Sequence, residues 1–305
     1  MIGPRYRGIV PPLITPLAGP DRLDEEGLHR LIDHVIEGGV SGLFLLGTSG
    51  EGPSLSHRLQ REVITAGVRR AGGRVPVLVG VTDTSCEESV ATAAHAADAG
   101  ADSVVIAPPY YFPAGQTELT RYVERLLPRM PLPVVLYNMP SLTKVAFEIE
   151  TLRRLGDDDR VIGVKDSGGD LVAFAALCEL RRTRRPDWSV VIGPESKLIE
   201  SLRLGGDGGV NGAANLFPRL FVRLYEAAVA GDAARTQALQ AEAAKLHAIY
   251  DIGKYASRHI KAMKCGASLL GLCEDALAEP FNAFEPPERQ RVAAILETVD
   301  RELAT

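Results

Sequence analysis

Cysteine is scarce in this chain. Cys86, Cys178, Cys265 and Cys273 are the full set, and no two of them form a Cys-x-x-Cys pair. That spacing excludes a thiolate zinc knuckle and a disulfide scaffold, so all four are expected to be reduced, intracellular packing residues. Histidine is scattered: His29 and His34 lack a His-Glu-x-x-His context, and no metal is expected. No apolar run reaches 18 residues and residues 1–7 carry no apolar signal core, so the expectation is a cytoplasmic protein without a membrane span. Cationic excess is missing as well. With a net charge of −5 there is no general attraction to nucleic acid or anionic lipid. The run Arg181-Arg-Thr-Arg-Arg185 lacks interleaved aromatics and reads as a solvated helix end. Nucleotide fingerprints are also lacking. After the first apolar run stands Thr15-Pro-Leu-Ala-Gly19 instead of Gly-x-Gly-x-x-Gly, and the glycine-rich turn at 47–52 has no terminal Gly-Lys-Ser/Thr. Lysine supplies only 7 of the 34 basic residues, which makes each lysine worth inspecting.

What the chain does have is rhythm. Of its 305 residues 46% are hydrophobic, enough for a large core. Short β-branched runs recur at 8–14, 42–46, 75–80, 103–107, 133–137, 161–165, 189–193 and 209–212. Amphipathic stretches separate them, at 24–38, 56–71, 86–99, 117–128, 171–182 and 196–204. Continuous apolar runs suit parallel strands covered on both faces, and eight βα units closing on themselves form a (β/α)₈ TIM barrel. Beyond the eighth run the chain reads as helix at 218–230, 233–249, 255–270 and 287–303. The expected organisation is a barrel over residues 1–225 and a C-terminal helical appendage over residues 226–305.

In such a barrel reactive groups sit where strands end. Lys165 closes the sixth run, Tyr137 the fifth, and Thr48 and Ser49 follow the second. Tyr110 and Tyr111 follow the fourth, Glu195 and Ser196 the seventh, and Asn211 the eighth. A lysine and tyrosines are not turn formers. A lysine at a buried strand end loses hydration, its pKa falls, and the neutral amine becomes a nucleophile for a ketone. Tyr137, one strand over, is placed to shuttle protons beside it. The turn Gly47-Thr-Ser-Gly-Glu-Gly52 aims backbone N–H groups and hydroxyls in a way that suits a small carboxylate.

Five motifs in this order carry a resemblance: Gly47-Thr-Ser-Gly-Glu-Gly52, Pro108-Pro-Tyr-Tyr111, Tyr137-Asn-Met-Pro140, Gly163-Val-Lys-Asp-Ser167 and Gly209-Val-Asn-Gly-Ala-Ala-Asn215. With them the chain resembles the dihydrodipicolinate synthase and N-acetylneuraminate lyase family, the pyruvate-dependent class I aldolases, along nearly its whole length. The resemblance implies a Schiff base between Lys165 and a 2-oxo acid, with Tyr137 relaying protons and Thr48 and Tyr111 as partners in a hydroxyl relay. It implies that Tyr111 serves a neighbouring subunit, in a homotetramer built as a dimer of dimers. Thr48 and Ser49 match the carboxylate loop, and Val210 lies where a backbone carbonyl faces the site. Gly193, Glu195 and Ser196 match, in part, a segment that binds sugar hydroxyls. No cofactor is implied, because the lysine supplies the electrophilic chemistry.

The resemblance leaves the substrate open. Synthases of the lysine pathway carry an arginine two residues after the proline of Tyr-Asn-x-Pro, and here Leu142 stands in that place, with Lys144 nearby. The leading expectation is a lyase that joins or splits pyruvate and an aldehyde, acting on a hydroxylated 2-oxo (sugar) acid. The alternative is dihydrodipicolinate synthase activity, condensing pyruvate with aspartate semialdehyde. Dehydration of a sugar acid and a non-catalytic barrel that binds a 2-oxo acid are further alternatives.

Overall fold

Each of the eight apolar runs supplies a strand of one parallel sheet. In the computed structural model, which describes residues 5–300, these are β1 (Gly8–Ile9), β2 (Leu43–Leu45), β3 (Val77–Gly80) and β4 (Ser103–Ile106). They continue as β5 (Val134–Asn138), β6 (Val161–Asp166), β7 (Ser189–Ile192) and β8 (Gly208–Gly209). The order β1-β8-β7-β6-β5-β4-β3-β2 is parallel throughout. Closure comes just past β1, where Pro12 bridges Phe44, Phe44 N–H donates to Pro11 O at 3.0 Å and Leu13 N–H donates to Phe44 O at 2.9 Å. The barrel is complete, and helices cover its outer face.

Sequence and structure part at the strand ends for identifiable reasons. β1 is shorter than its apolar run because Pro11 and Pro12 have no N–H to extend the ladder. β8 stops at Gly209, and Gly212–Asn215 winds into a 3₁₀ turn. There the Asn215 amide donates to Pro12 O at 3.0 Å and accepts from Ile14 N–H at 3.1 Å. A side chain thus takes the place of the ladder at that seam.

The expected helix at 196–204 is a 3₁₀ turn, Glu195–Lys197, followed by Leu198–Arg203. A hairpin of Leu17–Gly19 with Arg22–Leu23 and the short helices Pro140–Thr143 and Ile149–Leu155 escaped the sequence reading. Asp24, Ser56, Ser85 and Asp170 cap their helices by accepting first-turn N–H groups, which anchors the helix starts.

Side chains alternate across the sheet. Val104, Val134, Leu136 and Val164 face the helices, whereas Val10, Phe44, Leu78, Val105, Val135 and Val191 fill the barrel. Tyr6 plugs the end opposite the strand C-termini, its hydroxyl 2.6 Å from Ser103 Oγ. After β8 come the helices Pro218–Val229, Ala233–His247, Arg258–Leu269 and Pro286–Thr298; part of the expected extension to residue 303 lies outside the described residues. Pro218–Val229 runs across the expected 225/226 boundary. Leu239, Leu246, Val292 and Leu296 share one apolar core with the barrel strands. No helix among the described residues is long and apolar enough to cross a membrane.

Candidate active site

Lys165 and Tyr137 are register partners on β6 and β5. The alternation that sends Val164 and Leu136 outward turns both inward, at the strand ends. Lys165 is only 5% exposed, and its Nζ lies 4.0 Å from the centre of the Tyr137 ring and 4.8 Å from that of Phe44. Phe44 meets Tyr137 edge-on, with centroids 6.4 Å apart. The aromatic rings wall off the amine from water.

That burial is the main reason the Lys165 pKa falls below the ordinary lysine value, against the upward pull of the Tyr137 phenol. For Tyr137, burial alone pushes upward. The Lys165 charge, with hydrogen bonds from Thr48, Ser167 and Lys165, outweighs it, so the phenol ends below its usual value. Thr48 Oγ1 is 3.3 Å from the Tyr137 hydroxyl. A buried amine that loses its proton easily therefore sits beside a phenol that ionises easily. Such a pair can attack a carbonyl and move protons at the same point.

The next residue pair holds this one in place. Asn138 Nδ2 donates to Asp166 Oδ2 at 2.8 Å, and Asn138 Oδ1 accepts Phe147 N–H at 3.1 Å. Asp166 Oδ1 accepts Gly168 N–H at 3.0 Å, and Ser167 N–H donates to Asn138 O at 2.7 Å. The Asp166 carboxyl is pushed above its usual pKa, chiefly by burial. The Asn138–Asp166 and Ser167–Asn138 bonds join β5 to the end of β6 and hold the register that pairs Tyr137 with Lys165, while the other two tie each strand end to the loop that follows it.

The structure brings Lys165, Tyr137 and Thr48 together, with Ser49 in the same half-buried loop. Val210 lies in the barrel interior and lines the same small cavity as Lys165. Ser167 is a member that sequence reasoning quoted in a motif but did not assign; its place two residues after the lysine, past the strand end, was the available signal. Gly193 faces it: a Cβ there would lie 1.9 Å from Ser167 Oγ, so only glycine leaves room for that hydroxyl.

Other expected residues stand elsewhere. Tyr111 is 69% exposed and packs edge-on against Phe112, with centroids 5.0 Å apart, so within one chain it does not join Thr48. Ser196 is exposed. Glu195 is not presented as a free carboxylate: Oε2 accepts Ala213 N–H at 3.0 Å, and Oε1 faces His247 Nδ1 at 3.5 Å. It ties the turn after β8 to the C-terminal helices. Leu142 sits exposed on the helix Pro140–Thr143, and Lys144 Nζ is directed to Tyr111 O at 3.4 Å.

The family model described as the dihydrodipicolinate synthetase family matches residues 5–299. The chain belongs to that family. Its members are lyases, and this chain is an enzyme of that kind. Among solved structures it is similar to the dihydrodipicolinate synthase of Bacteroides thetaiotaomicron, at 49% identity and a TM-score of 0.92, covering 95% of this chain and 98% of that one. It is similar to YagE of Escherichia coli K12, solved in complex with pyruvate, at 28% identity and a TM-score of 0.91, covering 96% and 98%. A further relative, "Probable 2-dehydro-3-deoxy-D-pentonate aldolase YjhH" of Escherichia coli K12, is 34% identical over 247 residues, 81% of this chain and 82% of its own. Synthases and sugar-acid aldolases thus both lie among its relatives.

Proposed function

We propose that this protein is a pyruvate-dependent Schiff-base aldolase acting on a hydroxylated 2-oxo acid. The observation that carries the reading is the buried Lys165 amine 4.0 Å from the Tyr137 ring, with Thr48 and Ser167 hydroxyls on the phenol. In the cleavage direction the neutral Lys165 amine adds to the C2 carbonyl, and loss of water leaves a protonated imine. The ionised Tyr137 takes the proton of the C4 hydroxyl as the C3–C4 bond breaks. Its electron pair flows into the imine, giving an enamine and a free aldehyde. Tyr137 then returns the proton to C3, and water hydrolyses the imine to release pyruvate and Lys165.

In this reading Thr48 and Ser49 hold the 2-oxo acid carboxylate, and the Val210 carbonyl lines the site. Gly193 and Ser196 contribute to the walls around the substrate's distal hydroxyls. The exposed pair Tyr111 and Phe112 supports an interface with a second copy, in which Tyr111 joins the partner's site. We place the enzyme in the cytoplasm as a homotetramer, a dimer of dimers. Sedimentation giving a fully active monomer would contradict the shared site.

Leu142 favours the sugar-acid reading, since it offers no charge to an aldehyde's carboxylate and Lys144 is directed elsewhere. Condensation of pyruvate with aspartate semialdehyde is the second reading, supported by the 49% identity to a dihydrodipicolinate synthase. A panel of sugar acids and semialdehydes, scored by pyruvate released or consumed, separates the two. Turnover confined to the semialdehyde would overturn the first.

A further inference from the structure

Lys165 is not the only lysine withdrawn from water. Lys264, on the helix Arg258–Leu269, is fully buried, and its Nζ pairs with Oε1 of the equally buried Glu51. The same ammonium donates to Ala276 O at 2.6 Å, while Glu51 Oε2 accepts Ala278 N–H at 2.9 Å. Glu51 belongs to the loop after β2, three residues from Thr48. The loop is wound tightly: Glu51 N–H donates to Thr48 O at 3.1 Å, Gly52 N–H to Gly47 O at 3.3 Å, and the Thr15 hydroxyl to Gly50 O at 2.7 Å. Leu46 at one end and Glu51 at the other have φ of 55° and 56°, in the left-handed region that side chains disfavour. Such backbone persists only where the surroundings impose it.

The sequence reading placed this glutamate in a substrate loop, yet its carboxylate points into the C-terminal helices. A buried ion pair is weak support for stability, since apolar side chains of similar size commonly do as well. What it adds is geometry, because charge-assisted hydrogen bonds are short and directional. Here that geometry is applied to the loop that carries the Thr48 hydroxyl to Tyr137.

We propose that Glu51 and Lys264 are positioning residues: their ion pair clamps the 47–52 loop to the C-terminal helices and so sets Thr48 and Ser49 for the 2-oxo acid carboxylate. This rests on the reading of Lys165 as the imine-forming lysine. The helices after the barrel are then part of the site's machinery.

The test measures the pyruvate concentration that half-saturates borohydride trapping on Lys165. Wild type is compared with Glu51→Gln/Lys264→Gln, with Glu51→Asp, and with Asp207→Asn/Arg181→Gln. The last is the control: Asp207 and Arg181 form another buried-carboxylate ion pair, but Asp207 precedes β8, at the opposite end of the barrel from the loops. Half-saturation is expected to rise about tenfold or more in both Glu51 variants and to stay near wild type in the control, however far melting temperatures fall. Glu51→Asp keeps both charges and shortens the reach, so it carries the comparison if the double variant does not fold. Glu51 variants that saturate as the control does would overturn the clamp while leaving Lys165 in its role. A wild type that forms no adduct would remove the Lys165 reading and the clamp with it.

Discussion

A lysine that gives up its hydration must find another partner or lose its proton, and Lys165 is placed between those outcomes. Burial lowers its pKa, and the neighbouring phenol raises it again. The sign of a substitution follows. Tyr137→Phe removes the phenol's upward pull, so the Lys165 pKa falls further, and the rising limb of imine formation moves to lower pH. Turnover drops at the same time, by about 10²- to 10⁴-fold, because the proton shuttle is gone. Stopped-flow imine formation against pH, beside steady-state rates, checks both. Leu142 is the residue at which substrate choice can be probed. Leu142→Arg is expected to raise kcat/KM for aspartate semialdehyde roughly ten- to a hundredfold, the worth of a charge-assisted contact. Unchanged selectivity would mean that this helix does not meet the aldehyde. Lys165, Tyr137 and Thr48 were legible in the sequence because strand ends on one rim converge by topology. The orientation of Glu195 was not. Its residue type suits a polyol, but Ala213 N–H and His247 lie 18 and 52 positions downstream, and no local pattern announces them.

At the scale of elements, the strands were legible because each is a short apolar run, and their ends were not. Proline cut β1 short and the Asn215 amide replaced the ladder after β8, both effects of bonding across the fold. The hairpin Leu17–Gly19 with Arg22–Leu23 was missed because its strands are too short to show a period of two. The turn after β8 also has a titratable tie. His247 is raised above its usual pKa, first by its hydrogen bond to Glu195. A histidine raised on folding contributes stability that is complete below its unfolded pKa of about 6.5 and is lost as pH rises through the folded value. The melting temperature should therefore decline as pH rises above about 6.5 more in wild type than in His247→Asn. Because His247 is partly exposed, the difference will be small and will shrink with salt. Equal pH slopes would show that the pair does not couple to folding.

For the molecule as a whole, eight βα repeats explain why the barrel was legible from spacing alone, whereas the contacts of residues 226–305 were not. Helical periodicity announced those helices as an appendage. One apolar core runs through them and the barrel, and a buried ion pair, Glu51–Lys264, lies between them and a rim loop. Two lysines are consequently buried, and they differ in one respect. Lys264 has a carboxylate for a partner, and Lys165 has a phenol at the end of an open-ended barrel strand. The account predicts that only the second reacts. Incubation with pyruvate and borohydride, followed by peptide mass spectrometry, measures this directly. A single reduced pyruvate adduct on Lys165, absent in Lys165→Ala, is the predicted result. An unmodified Lys165 under conditions that label a known Schiff-base aldolase, or an adduct on Lys264 instead, would contradict it.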